Sequence, residues 1–326
     1  QGTQWVQTAG FFGNIRASGL AVLPGEAGVA LSGNFQGQLI FAGDTLTASA
    51  SGTDVFLLGA SPQGQPLWLR GGIGAWDDEV TDLAADAAGN LYLTGFVVGN
   101  LRFSEEIAIQ SADLKEDIFV AKYGPDGTPL WAQSLQDAGE ETGRSLAVAD
   151  DWLCVLGRYA ESFSFAGQSI SSPSGLGQSA LAVLDTSGQP RRLIPLHADE
   201  LCLGEAVALT EDLQILAAGG FSGKLDLPPF SLRSAGGFDV FWAALSPEVT
   251  GLLPEPVEVE EVRAWPNPVR HQLQIDWPQL PRRWRLFDQA GRMLPLPAGP
   301  APTLPVQHLP KGLYYLYAEG ESGKRY

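Results

Sequence analysis

The residues whose types and spacing could do chemistry in this chain are acidic. Asp77-Asp78-Glu79, Glu140-Glu141 and Asp199-Glu200 recur at intervals close to 60 residues, and Asn14-Ile15-Arg16 holds the corresponding place nearer the start. Carboxylates collected from several loops around one rim would bind a hard cation or a basic partner. The plainer role of such a doublet is a solvated turn that keeps a sheet edge soluble, and that reading is preferred. A glycosidase pair is a poorer fit, because its two carboxylates come from distinct positions facing one sugar, not from neighbouring residues repeated along a chain. No metal and no cofactor is expected.

Other chemistry is sparse. His197, His271 and His308 fall in different blocks without metal-ligand spacing, so they read as surface or packed side chains. There is no nucleophile elbow, no zinc-protease motif and no glycine-rich phosphate loop. Cys154 and Cys202 fit a disulfide in an oxidising compartment or two buried thiols equally well. Pro125-Asp126-Gly127 has the look of a calcium loop, but Gln63-Gly64 and Ser187-Gly188 stand in its place in sister segments, which makes it a hairpin turn. Trp5, Trp68 and Trp131 could stack sugars; their regular placement suits packing between repeats better. Arg282, Arg283 and Arg285 around Trp284 suit protein carboxylates better than nucleic acid.

These residues are set in a repeat. Gly33, Gly95, Gly157 and Gly219 are each 62 residues apart. Before them come Leu20-Ala21, Leu83-Ala84, Leu146-Ala147 and Val207-Ala208, and after them Phe41, Phe103, Phe165 and Leu227. A third segment follows, as Asp54-Val55-Phe56, Asp117-Ile118-Phe119, Ser179-Ala180-Leu181 and Asp239-Val240-Phe241. A fourth ends each unit, as Leu67-Trp68, Leu130-Trp131 and a degenerate Arg191-Arg192. Period-2 alternation with turn residues between segments predicts antiparallel strands, four per repeat, the size of a propeller blade. The last repeat stops after its third strand, and Gln4-Trp5-Val6-Gln7 resembles the missing fourth. Set beside residues 239–245 it would close a four-bladed ring, or close the ring of a neighbouring copy.

Residues 247–262 carry five glutamates, three prolines and no base, and read as a semi-rigid linker. Residues 263–326 change grammar to short alternating strands, predicting a small β-sandwich. The charge divides the same way. The chain has a net charge of −17. Residues 1–246 hold 28 acidic and 11 basic side chains, and residues 263–326 hold nine basic and four acidic. An acidic body argues against nucleic acid, and a basic tail permits attraction between copies. No apolar run is long enough for a membrane helix, and the chain opens as a mature secreted protein would after loss of its leader, or as a trimmed chain would.

Two resemblances sharpen these readings. Residues 89–95 (GNLYLTG), 117–123 (DIFVAKY) and 126–131 (DGTPLW) resemble the SBBP family of bacterial β-propeller repeats, over about residues 5–246. In the tail, Pro266-Asn267-Pro268, the L-F-D-x-x-G-R run ending at Gly291-Arg292, the L-P-x-G-L-Y run holding Gly312 and Tyr314, and Lys324 near the end are similar to the type A C-terminal sorting domain of type IX secretion cargo. The resemblance implies export by the type IX machinery and an extracellular, cell-surface location. The expected function is a structural or interaction protein that self-assembles, fibre-like, through its propeller and a retained C-terminal domain. The alternative is an adhesin that binds a glycan or protein beside Asp77–Glu79. An extracellular hydrolase ranks last, since fold alone does not exclude one.

Overall fold

The computed structural model describes residues 4–50, 52–111, 114–135, 139–173, 175–210, 213–228, 230–245, 263–265, 272–276, 283–288, 293–294, 303–307, 309–310 and 314–319. The chain divides into two compact units, Gln1–Glu248 and Val249–Tyr326, and among the described residues every regular element but one short 3-10 turn is a strand.

The first unit repeats one pattern four times: two strands, a narrow two-stranded ribbon, then one or two more strands. It begins with β1 (Gly10–Phe12), β2 (Ile15–Leu23) and β3 (Gly28–Phe35), the ribbon β4 (Gln38–Phe41) and β5 (Asp44–Thr47), then β6 (Asp54–Ala60) and β7 (Pro66–Gly74). The second round is β8 (Glu79–Ala85), β9 (Leu91–Val98), ribbon β10 (Asn100–Arg102) and β11 (Ala108–Gln110), β12 (Glu116–Tyr123) and β13 (Pro129–Leu135). The third is β14 (Glu141–Ala149), β15 (Trp152–Tyr159), ribbon β16 (Ser162–Phe165) and β17 (Gln168–Ser171), β18 (Gln178–Leu184) and β19 (Pro190–Ala198). The fourth has β20 (Cys202–Leu209), β21 (Ile215–Phe221), ribbon β22 (Lys224–Leu227) and β23 (Phe230–Arg233), and β24 (Asp239–Leu245). Antiparallel pairing gives the orders β2-β3-β6-β7, β8-β9-β12-β13 and β14-β15-β18-β19, and a three-stranded β20-β21-β24.

The 62-residue glycine has a physical cause in the first strand of each sheet. All four first strands carry a β-bulge, between Ala17 and Gly19, Val80 and Asp82, Gly143 and Ser145, and Gly204 and Ala206. The bulge bends the strand so that a backbone carbonyl closes on the glycine opposite. A Cβ on Gly33, Gly95 or Gly219 would sit 2.1, 1.8 or 2.3 Å from the oxygens of Arg16, Glu79 and Leu203. Gly157 differs, because there the nearest atom is a side-chain methyl, Ile118 Cδ1 at 2.4 Å. The turns between third and fourth strands also repeat. Gly64, Gly127 and Gly188 each have φ between 77° and 89°, and each N–H donates back three residues, to Ser61, Gly124 and Asp185. The Pro125-Asp126-Gly127 segment is one of these turns. Asp126 is held below its ordinary range by the Thr128 N–H and hydroxyl.

The sheets pack in series, with β2 against β8, β8 against β14 and β14 against β20. Each joint has its own apolar core. The first holds Val55, Leu57, Leu93, Phe119 and Tyr123, the second Ile118, Val120, Leu153, Val155 and Ala182, and the third Leu156, Leu181, Ala217 and Phe241. Polar contacts fix the register between sheets. Val80 N–H donates to Asn34 Oδ1 at 2.7 Å, Ser145 Oγ–H and Leu146 N–H donate to Asp82 Oδ2 at 2.8 and 2.9 Å, and Val207 N–H donates to Ser145 Oγ at 3.3 Å.

Three expectations need correction. Among the described residues no sheet closes on itself and no comparable joint brings β20 to β2, so they form several sheets in series and not a closed ring. The third-strand alignment in the third repeat slips by one: Gly157 faces Ala180, as Gly33 faces Phe56, so Gln178 and not Ser179 is the counterpart of Asp54. Gln178 keeps the role, since its Oε1 accepts Ala198 N–H as Asp54 Oδ1 accepts Gly74 N–H. And β24 has β21 as its one strand partner among the described residues, so Gln4–Gln7 do not lie beside 239–245.

The second unit consists of β25 (Arg263–Trp265), β26 (Gln272–Asp276), β27 (Arg283–Asp288), β28 (Met293–Leu294), β29 (Thr303–Pro305) and β30 (Tyr314–Glu319). They form two three-stranded sheets, β25-β26-β29 and β28-β27-β30. Ile275 and Leu304 of one pack with Trp284 and Leu286 of the other. Trp284 is therefore core and not a surface reader. Tyr314 opens β30; Pro266, Asn267, Pro268, Gly291, Gly312, Lys324 and the 247–262 linker lie outside the described residues.

Candidate functional site

The acidic doublets do not form one equivalent rim. Each precedes or opens a first strand, but aligning the bulges makes Asp78 the counterpart of Glu141 and of Cys202, and Asp199-Glu200 falls two positions earlier. Within the aligned doublets the two residues have opposite fates. Asp77 and Glu140 are exposed; Asp78 and Glu141 are fully buried. Asp77 Oδ1 accepts Thr53 N–H and Asp78 Oδ1 accepts Val98 N–H, both at 2.9 Å. Asp199 belongs to a turn, accepting Lys224 N–H, and Glu200 accepts the Gln178 side-chain amide through its carbonyl.

Acid density is concentrated on the side of the second sheet. Glu116 is raised above the usual carboxylate range by burial first, then by Glu140, Glu79 and Asp77. Burial also raises Asp54, and it pushes Asp78 to about 8, with Asp54 and Asp77 adding to the shift. Asp54 and Glu116 open third strands, and the Glu116-Asp117 pair lies away from the first-strand loops where the other doublets recur. Among the described residues no group of three His, Cys, Asp or Glu is placed to hold a metal ion.

Asp78 makes a pH-dependent stability contribution of definite sign. Its folded pKa lies above its unfolded value of 3.8, so the folded state binds the proton more tightly. The contribution is fully present below about pH 3.8 and is lost as the pH rises towards 8. Asp78→Asn keeps the acceptor for Val98 N–H and removes the ionisation. The variant should melt at a higher temperature than the parent at pH 8 and at the same temperature at pH 4; equal melting temperatures at pH 8 would refute this.

The remaining candidates are structural. Cys154 and Cys202 are free and buried in the same core, without the disulfide that was the other possibility. Burial pushes both thiols up to about 12, which leaves them unreactive. His197 meets the Tyr159 hydroxyl, and burial lowers its pKa from the ordinary imidazole value. His271 and His308 lie outside the described residues. Trp68 is buried in the first joint and Trp131 packs on the second, as inter-repeat packing requires. Open depressions are present among the described residues. One, of about 460 Å³, lies between β13 and the β16–β17 ribbon. Another, of about 220 Å³, is lined by Asn14, Arg16, Gln36, Thr53 and Glu79.

The unusual surfaces lie at the two ends of the sheet series. At the back, Val240 is 73% exposed and Trp242 82%, whereas their counterparts Ile118 and Val120 in the second sheet are exposed by 1% and 0%. Leu216 is exposed where Tyr92 and Cys154 are buried. At the front, Leu20 is 66% exposed, against 6% for Leu83 and 4% for Leu146. Val22 is exposed beside it.

Residues 4–12 add the other half of this picture. Trp5 lies over Gly64 as Trp68 lies over Gly127; a Cβ on either glycine would be 2.6 or 2.7 Å from the indole. The Trp5 indole N–H donates to Pro62 O at 2.9 Å. Further along, β1 pairs with ribbon strand β4 through Gly10↔Ile40 and Phe11↔Leu39. The fourth strand β7 pairs with the next ribbon in the same register, through Ile73↔Arg102 and Gly74↔Leu101. Residues 4–12 thus occupy the seat of a fourth strand belonging to a sheet in front of the first. The resemblance of Gln4-Trp5-Val6-Gln7 to a fourth strand predicts this seat; what the chain does not supply is the hydrogen bonding to β24.

No protein-family model and no curated protein matches the chain.

Proposed function

We propose that the chain is a secreted, cell-surface structural protein, exported by the type IX machinery through residues 263–326 and self-associating through a blade-like body. In this reading the four sheets are propeller blades, the second unit is a sorting-type β-sandwich retained after export, and the protein works outside the cell. The observation that carries it is the pair of open sheet ends on the first unit. Monomeric proteins seldom leave an unpaired strand edge beside an exposed apolar patch, because both invite association. The tail motifs at 266–268, 286–292 and 309–314 support the export half. In a host with type IX secretion, the full chain should reach the cell surface and a chain lacking residues 263–326 should stay in the periplasm. Equal surface display of both would remove the sorting role.

A second reading is an adhesin for a glycan or protein. The depression lined by Asn14, Arg16, Gln36, Thr53 and Glu79 favours it, because convergent polar side chains suit a hydroxyl-rich ligand. Glycan-array binding that is lost in an Asp77→Ala/Glu79→Ala variant would carry this reading; an unchanged array profile would remove it.

A further inference from the structure

The two open ends are the two halves of one joint, and the chain itself shows three times what covers each half. At every internal joint, the back of one sheet receives the first strand of the next. Leu57 and Val55 are buried under the second sheet, Val120 and Ile118 under the third, and Leu181 under the fourth. Trp242 and Val240 are the same positions in the fourth sheet, and both are exposed. Leu83, Leu146 and Val207 are the covering residues of the three internal joints, and Leu20 is the fourth member of that set, also uncovered. The fourth strand is divided in the same way. The sheet β20-β21-β24 lacks one, and residues 4–12 sit on the first sheet as a fourth strand without a sheet.

We propose that this joint is made between copies: the β24 edge and the Leu216, Val240 and Trp242 face of one molecule take residues 4–8 and the Leu20 and Val22 face of a second. The occupant is a second copy because its front end carries the complement that the internal joints specify. The same chain's front end does not serve, since both halves stand exposed together and, among the described residues, β24 is paired on one side only. Strand addition to β24 supplies directional hydrogen bonds, and the apolar residues supply the burial. The contact is heterologous, a front to a back, so it propagates until the rotation between copies closes a ring or else extends as a filament. This rests on the self-associating half of the reading above and names its surfaces.

Sedimentation velocity on the full chain tests it with two double variants at exposed positions, Leu20→Asp/Val22→Asp to block the front and Val240→Asp/Trp242→Asp to block the back. The parent should form species larger than a monomer as concentration rises, and each variant alone should fail to propagate. A one-to-one mixture should stop at a dimer, because it retains one good front and one good back. Replacing Trp242 alone should weaken association by roughly 30-fold or more, the scale of a buried aromatic anchor. A parent that is monomeric at every soluble concentration overturns the proposal and places the closure within one chain. Self-association of either double variant, or a mixture that stays monomeric, overturns the front-to-back arrangement. Export is read separately in cells, so surface display without association would sink this joint and leave the sorting role standing.

Discussion

Gly95→Ala is expected to unfold the first unit, whereas Gly157→Ala, the same substitution one repeat later, is expected to leave it folded. The new methyl at Gly95 would lie 1.8 Å from Glu79 O and 2.9 Å from Val80 Cα, both backbone atoms of the bulged first strand. Relief requires moving β8, which also carries Val80, the partner of Asn34 across the joint. Backbone clashes of this kind exceed ordinary overpacking, so a loss of more than about 3 kcal/mol is predicted. At Gly157 the obstructing atom is the far end of the Ile118 side chain, which can rotate away. The loss there should be about 1–2 kcal/mol. Chemical denaturation of the two variants checks the contrast, and equal midpoints would contradict the account of the spaced glycine.

Phe119→Ala is the second large effect. The ring is fully buried between the first and second sheets and packs on Phe103 at a centroid distance of 5.9 Å. Truncation leaves a cavity that four-stranded sheets on either side cannot collapse into, and about 3–5 kcal/mol should be lost. Its counterpart in the fourth sheet, Phe241, is equally buried, but Trp242 beside it is exposed. Phe241→Ala should therefore cost about as much as Phe119→Ala, while Trp242→Ala should change the stability of a dilute monomer by less than about 0.5 kcal/mol. A large destabilisation from Trp242→Ala in dilute solution would mean that the residue is covered within its own chain.

The strand-level plan was legible because it rests on local rules. Period-2 burial, the turn glycines and the 62-residue glycine all have short-range causes, and the strands fall where those signals put them. The third repeat misled by one residue because Gln178 replaces the aspartate that opens the other third strands, while its amide oxygen does the same job. The acidic doublets misled for a related reason. Adjacent acidic residues look alike in sequence, but a strand's alternation sends Asp77 to solvent and Asp78 into the sheet, and Asp199-Glu200 sits out of phase in a turn. The missing fourth strand at the end of the last repeat was legible; the bare faces at the two ends were not. Val240 and Trp242 have buried counterparts in the other three sheets, and their exposure depends on which sheet stands next to them, which the local sequence does not encode. The seat of Trp5 was legible, since it repeats the Leu-Trp strand, but whether it serves residues 239–245 of its own chain or of a neighbouring copy stayed open.

Hydrogen exchange at β24 tests the central claim most directly. Compared at low and high protein concentration, the amides of Asp239–Leu245 that face away from β21 should exchange quickly when dilute and slowly when concentrated, with residues 4–8 following the same course. Exchange that is slow at both concentrations would show that the edge is already paired within one chain. Exchange that is fast at both would show that no second copy covers it.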